Sequence, residues 1–489
     1  MIIANIGLTL WCLYLDPVIN FDGVIYITIA QLFMDGEIAS AFDYYSWPFY
    51  SLFIAATAKL LFIDLESAAL VLNTLLATSL TLAFVCIVAE LSRNNRRIII
   101  IAMALILFFP SISKYRSFVI RDFGYLSCYL WSLYFIFRYC TTLKKSHLIG
   151  WLVFAGLSSL FRFEGIVFML IAPYFLILFG ATTMPNRKTI MATLSVAIIT
   201  ISVALLFWYI NDKYMDSVEN ALLAGKDIQN LGDLFFANIQ ERLGDRELNP
   251  LSFLGLLAAN TGDVAYELIR RMAVLYFIFV IYAYMKGLAL RDVLLRRIWL
   301  IYVVANLLML VGFSLSNNFI VSRYTMASAL TLLILAPFAI NHFIDSTRSA
   351  GISTKIAAGF AVLVLGLVSA EGLDVRTDKV FIKSAGLWMK ENIPEDATIY
   401  SNNKLAVYYA DRGVEANLDQ LYNLDLLELF MNTGQIYSYD YVVLIGNRGH
   451  YFEDLMRQTL WYKFGKPDNI IYGKDGDYAF IFSIHVWNE

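Results

Sequence analysis

Long apolar runs fill most of this chain, and short clusters of arginine and lysine separate them. The runs lie near 2–15, 66–91, 98–112, 122–141, 148–161, 165–180, 189–209, 267–285, 298–314, 324–343 and 356–371. Crossing the hydrocarbon of a bilayer takes roughly 17–25 apolar residues in a helix, so the pattern predicts about eleven membrane-spanning helices, several of them short. After position 372 the pattern changes. The segment KSAGLWMKEN at 383–392 reads as a helix stopped by Pro394. TIYS at 398–401, YVVLIG at 441–446 and YAFIFSI at 478–484 read as strands. The expected fold is therefore an α-helical polytopic membrane domain over 1–372, followed by a small α/β domain over 373–489 that is long enough to hold its own core.

Composition agrees. Hydrophobic residues make up 59% of the chain and charged residues 16%, against about 25% charged in a soluble domain. One globule cannot hide that much apolar surface, so lipid is the natural solvent. A net charge of −3 excludes a strongly basic nucleic-acid binder. Cys12, Cys86, Cys128 and Cys140 all fall inside apolar runs without a C-x-x-C spacing, and read as small buried hydrophobes. His147, His342, His450 and His485 are scattered, with no zinc-binding spacing. The N-terminal run lacks a basic flank and a small-residue cleavage site, so it reads as a span rather than a removable signal.

Charge then sets the expected topology. The basic clusters are Arg93/Arg96/Arg97, Lys144/Lys145, Arg187/Lys188, Lys286 with Arg291/Arg296/Arg297, and Arg348 with Lys355. The positive-inside rule assigns all of them to the cytoplasmic face, with two spans between neighbours and the C-terminus outside. This parity leaves no room for WPFYSLFIAATAKLLF at 47–62, which reads as interfacial, with aromatics at one end and Lys59 near the other. The outer segments are then a loop over 16–65, a polar loop over 211–266 and the C-terminal domain. The loop, with Asp245, Arg246 and Glu247, reads either as a mobile lid or as a solvated connection.

Charges in or beside spans carry the chemistry. Each costs roughly 2.5–3.5 kcal/mol on insertion scales unless it is paired or faces a wet cavity. Asp16 and Asp22, then Arg116, Arg121 and Asp122, then Arg162 and Glu164, then Arg323, all fall on the outer face in this topology. Guanidinium forks can hold a phosphate, and a carboxylate can take a proton from an attacking hydroxyl. Each residue also has a plainer reading. Asp16 before Pro17 could close a helix, and Asp22 could cap the helix that follows it. Arg121 and Asp122 could be a turn pair, Arg162 and Glu164 a snorkelling pair, and Arg323 with Tyr324 a helix-end anchor.

The same stretches resemble a family. DGVIYITIAQLFMDG at 22–36 is similar to the first outer loop of GT-C glycosyltransferases of the dolichyl-phosphate-mannose-protein mannosyltransferase-like class, which includes the lipid A aminoarabinose transferase. The segment 47–62 resembles that family's juxtamembrane piece. RDFGYLSCYLWSLYFIFRY at 121–139 resembles its fourth span, FRFEG at 161–165 its arginine–glutamate turn and SRYTMA at 322–327 its late Arg-Tyr motif. WMKENIPEDATIYS at 388–401 resembles the opening of its outer domain.

The resemblance implies transfer of a sugar from a polyprenyl-phosphate-linked donor to a glycan, lipid or protein acceptor outside a bacterial inner membrane. It makes Asp22 the general base. The family often has two adjacent acids there, whereas Gly23 follows Asp22 here, so Asp16 or Asp122 would supply the second. Arg121, Arg162, Arg323 and Arg116 would hold the lipid phosphate, and Glu164, Tyr26 and Tyr324 would contact substrate. A divalent metal serves one branch of the family; the absence of D-x-D in the first loop argues against one here. The competing readings are a transporter or flippase, a membrane scaffold, and a polymerase or ligase using a diphosphate-linked glycan.

Overall fold

The computed structural model describes residues 1–171, 250–317, 319–348, 379–412, 433–446 and 451–484, with single positions at 352, 359, 366 and 367. The expected spans at 189–209 and, apart from those positions, 356–371 lie outside the described residues, as do most of 165–180 and the loop up to 249.

Six of the described apolar runs fold as helices close to their expected bounds, whereas the run at 98–112 gives the shorter helix Arg96–Leu107. The six are Ile2–Leu15, Leu65–Leu91, Asp122–Thr142, Lys145–Phe161, Ala273–Met285 and Val293–Asn317. Among the described residues, Leu65–Leu91, Val293–Asn317 and the stretch Met326–Thr347 are long and apolar enough to cross a membrane. The helices at Ile2–Leu15, Phe49–Leu61 and Ala273–Met285 are apolar but shorter. Two differences concern breaks and loops. The stretch after Arg323 divides into Met326–Leu333 and Ala336–Arg348, because Pro337 lacks the N–H that an unbroken helix needs there. The segment expected as a polar loop over 211–266 is not irregular to its end: a helix begins at Pro250 and runs to Arg271, its proline well suited to a first turn.

The segment read as interfacial is a helix, Phe49–Leu61, of 13 residues. That length rises about 20 Å, against about 30 Å of hydrocarbon. It packs on Phe21–Asp35 and on Leu65–Leu91. The latter begins with a true cap: the Asp64 carboxylate accepts from the Ser67 amide at 2.9 Å. Backbone and side-chain hydrogen bonds from Ser67 hold the Asp64 pKa below its ordinary value. Replacing Asp64 by Ala is expected to cost about 1 kcal/mol at neutral pH. Because the folded pKa is depressed, this contribution is present above the unfolded pKa of about 3.9 and fades as pH falls through the folded value. Thermal unfolding of parent and D64A at pH 7 and pH 3 tests this. A gap that does not narrow at the lower pH would count against the cap.

Packing is close along the helices. Asp122–Thr142 lies against Leu65–Leu91 and Lys145–Phe161. Polar threads tie neighbours together where lipid offers no hydrogen bonds. Tyr129 shares its hydroxyl with Thr331 at 2.7 Å and accepts from Asn306 at 2.8 Å. Ser127 and Trp131 both donate to the Ser79 hydroxyl.

The C-terminal domain carries a four-stranded sheet in the order β1-β2-β4-β3. β1 (Ile399–Ser401) runs parallel to β2 (Tyr441–Gly446), whereas β3 (Asn469–Tyr472) and β4 (Tyr478–Ser483) are antiparallel. The sequence anticipated β1, β2 and β4; β3, with its mixed burial, was not separable from a loop. The helix Val380–Asn392 was anticipated within a few residues. This domain grips the membrane part directly. The Ile19 amide donates to the Tyr409 hydroxyl at 2.9 Å, and Tyr408 donates to Glu66 at 3.0 Å. Lys383 reaches the Pro17 carbonyl at 3.2 Å. The loop and helix that follow Asp16 are thus held from both sides.

Candidate functional site

Asp22 sits in the first turn of Phe21–Asp35, but it is not that helix's cap. Asn20 occupies the cap position, and its side chain is used elsewhere: the amide donates to the Val119 carbonyl and the oxygen accepts from the Val119 amide. This exchange pins the start of the Asp22 helix to the loop before Asp122. Asp22 is left facing Arg323, with which it forms an ion pair. The two residues are 301 positions apart in the chain. Both side chains keep contact with the exterior, at 36% for Asp22 and 24% for Arg323.

A second ionic group lies beside the first. Arg162 ends the helix Lys145–Phe161 in an extended conformation, which turns its side chain back across the helix ends. Its terminal nitrogen bonds Asp122 at 2.6 Å, and Nε reaches the Glu164 carboxylate at 3.2 Å. The guanidinium also covers the Tyr324 ring at 4.3 Å and approaches Tyr125 at 5.9 Å. Burial works against the charge on Arg162, but Asp122 and Glu164 outweigh it and hold the proton more tightly than usual. The balance is the same for Arg323, where Asp122 and Asp22 overcome burial. The Arg323 Nε is buried and has no hydrogen-bond partner among the described residues.

Arg121 completes the arrangement. Its guanidinium lies 5.3 Å from the centre of the Tyr45 ring, and among the described residues it forms no ion pair. Tyr45 in turn packs edge-on against Tyr26. Tyr26 is buried and within electrostatic reach of Arg121, Asp122 and Asp22.

The sequence proposed ten site residues, and the structure gathers eight of them. Asp22, Tyr26, Arg121, Asp122, Arg162, Glu164, Arg323 and Tyr324 form one connected group. Arg116 is elsewhere: fully buried, it bonds Asn5 at 2.7 Å and the Leu107 carbonyl at 2.8 Å, which ties the first helix to the loop before Asp122. Asp16 closes the first helix, as its plainer reading held, and lies near Tyr409 of the C-terminal domain. Tyr45 and Tyr125 were not anticipated. Tyr125 follows Asp122 by three positions, a spacing that puts both on one helix face and was legible.

One cavity opens beside the group. It has a volume of 410 Å³ and is lined by Asp122, Arg162, Glu164, Arg323 and Tyr324 together with apolar residues such as Met309, Leu310 and Phe313. Its lining combines charged side chains with a larger share of apolar ones, which suits an amphiphile with an anionic group. Asp22, Asp122 and Glu164 are each matched to a guanidinium, and among the described residues no three His, Cys, Asp or Glu side chains come together as a metal would require.

The turn that presents Arg162 and Glu164 depends on Gly165. A Cβ there would meet the Ser158 hydroxyl and the Ser159 backbone nitrogen, both at 2.5 Å. Backbone cannot swing aside as a side chain can, so G165A is expected to destabilise by about 1–3 kcal/mol. Thermal unfolding checks this, and an unchanged midpoint would show that the turn has freedom to move.

Comparison with known proteins adds one result. No family model matches the sequence, and no curated protein matches it. Among solved structures the chain is similar to the archaeal oligosaccharyltransferase AglB from Archaeoglobus fulgidus, determined in complex with an inhibitory peptide and a dolichol-phosphate. The TM-score is 0.50 with 11% sequence identity, covering 99% of this chain and 74% of the other. At that identity the likeness is one of fold.

Proposed function

We propose that this chain is a membrane glycosyltransferase that moves a sugar from a polyprenyl-phosphate-linked donor to a glycan, lipid or protein acceptor. The observation that carries this reading is the pairing of a partly exposed acid, Asp22, with Arg323, which lines a largely apolar cavity. A lipid-linked donor has the same two-part character, a charged head on an apolar tail. The fold likeness to an oligosaccharyltransferase whose structure holds a dolichol-phosphate supports the same class.

In this reading Asp22 and Arg323 neutralise each other until the donor arrives. The donor phosphate then competes for the guanidinium fork, which binds phosphate as readily as carboxylate. Arg121, with no carboxylate of its own, is a second phosphate partner. Release of Asp22 makes it available to the acceptor hydroxyl. The acceptor oxygen attacks the anomeric carbon, and the bond from that carbon to the phosphate oxygen breaks. The electron pair leaves with the lipid phosphate, where the arginines stabilise it, and the hydroxyl proton passes to Asp22. One displacement inverts the anomeric configuration. Arg162 stays with Asp122 and Glu164 and shapes the pocket, and Tyr324 lies between the two arginines.

A transporter would place charged or polar groups at a broken helix near the midplane. The break between Leu333 and Ala336 is instead apolar and buried at Ile334, Leu335 and Ala336. Transfer is tested with the purified chain in vesicles, supplied with radiolabelled polyprenyl-phosphate sugars. Turnover of a monophosphate-linked donor is expected. Turnover of diphosphate-linked donors alone would favour the polymerase or ligase reading, and transbilayer movement of the lipid without transfer would favour a flippase.

A further inference from the structure

The opposite end of the helices holds a second group of arginines. The helix Leu65–Leu91 starts beside Glu66, which meets the C-terminal domain, and 27 residues carry it about 40 Å to the far face. Its far end turns at Arg93 and Asn94, both with positive φ, at 53° and 61°. A second turn faces it, between Ala273–Met285 and Val293–Asn317, and contains Gly287 at φ 58° and Leu290 at φ 47°. Left-handed backbone at non-glycine residues costs about 1–2 kcal/mol each and persists only where the surroundings impose it.

Two cavities border these turns. One, of 440 Å³, is lined by Arg93, Arg291, Glu90 and Asp292 among others. The second, of 530 Å³, is lined by Arg291, Arg296 and Tyr284 and extends to Leu335 at the broken helix. Ala289, Leu290 and Arg291 belong to both. The two acids at the rim are already committed. Glu90 pairs with Arg138 at 2.8 Å, and Asp292 accepts from the amides of Leu294 and Leu295 at the start of its helix. Arg93, Arg291 and Arg296 form no ion pair and no side-chain hydrogen bond among the described residues. Apolar side chains stand exposed next to this opening, with Met285 at 78% and Val293 at 50%.

Uncommitted guanidinium groups over a cavity with an apolar approach fit one ligand chemistry: a phosphate carried on acyl chains. We propose that these joined cavities bind the headgroup phosphate of an anionic phospholipid, with Arg291 shared between the two compartments and Arg93 and Arg296 on either side. The site is separate from the Asp22 group and lies at the other end of the same helices, so its occupancy does not depend on the glycosyltransferase reading.

The probe is phosphatidylglycerol, with phosphatidylcholine as the neutral-headgroup control and inorganic phosphate as the soluble control. The full chain, purified in detergent, is titrated with each while thermal unfolding and lipid retention in native mass spectrometry are followed. The parent is expected to retain phosphatidylglycerol in preference to phosphatidylcholine and to unfold at a higher temperature with it. R291Q is expected to weaken retention roughly fivefold, the loss of about one near-surface charge, and R291K to recover part of it. R291K also keeps the charge bias of this face, so the insertion of the chain is unaltered. Equal retention by R291Q and parent would overturn the proposal, as would equal retention of phosphatidylcholine. Stabilisation by inorganic phosphate that phosphatidylglycerol does not exceed would overturn the assignment to a lipid.

Discussion

Replacing Asp22 by Asn is expected to lower the turnover number for sugar transfer by roughly 10²–10⁴-fold, the range that general-base catalysis contributes. The substitution keeps the shape of the side chain and an oxygen that can accept from Arg323. It removes the charge that draws a proton from the acceptor. In the proposed mechanism donor binding rests on the arginines, so KM for the donor is expected to stay level or fall, because Arg323 no longer has a competing carboxylate. A loss confined to kcat is therefore the signature, and it separates proton removal from damage to the pocket. The test is a transfer assay on D22N alongside an unfolding curve showing parental stability. A folded D22N with full transfer would remove Asp22 from the mechanism and leave its pair with Arg323 as a structural tie.

The second large effect concerns stability. Arg162→Met is expected to destabilise the chain by about 3–5 kcal/mol, the cost of stranding a buried charge. Asp122 is 3% exposed and takes its ion pair from Arg162. Methionine fills much of the volume of the arginine stem but supplies no donor, so the carboxylate loses its hydrogen-bonded partner and keeps only the more distant charge of Arg323. Adding Asp122→Asn removes that charge and is expected to restore part of the loss. Thermal unfolding of the parent, the single variants and the double variant gives the coupling directly. A single R162M variant as stable as the parent would show that water or another side chain reaches Asp122 on its own.

The helices were legible because lipid demands long apolar runs, and length with hydropathy is a robust signal. The site was legible for a related reason: a charge beside a span is costly, so each one invited a question about its partner. Which charge answers which was not legible. Asp22 meets Arg323 and Asp122 meets Arg162 through tertiary folding across long stretches of chain, and no local spacing encodes that. Arg116 shows the limit most clearly. It stands five residues before Arg121 and looks equally suited to phosphate, yet Asn5, Thr9 and the Leu107 carbonyl claim its donors. Those partners are small neutral groups, which a search for charges passes over. In the C-terminal domain β3 went unseen because its side chains do not alternate between buried and exposed. Its place in the sheet comes from pairing with β4, a property of the neighbour.

The long reach of these contacts bears on when a newly made chain becomes complete. Asp22 emerges from the ribosome early, whereas Arg323 follows 301 residues later and Tyr409, which holds Ile19, comes 390 residues after it. At about 5–20 residues per second, synthesis separates the first of these from the last by roughly 20–80 seconds. Until Arg323 is made the acid lacks its guanidinium partner, and until Tyr409 is made it lacks the clasp of the C-terminal domain. A chain that stops short of Tyr409 lacks the bond that fixes the loop ahead of Asp22, so interrupted synthesis leaves a product with an unfinished site in the membrane. The order of the sequence thereby sets when the Asp22–Arg323 pair and the contact that steadies it can form.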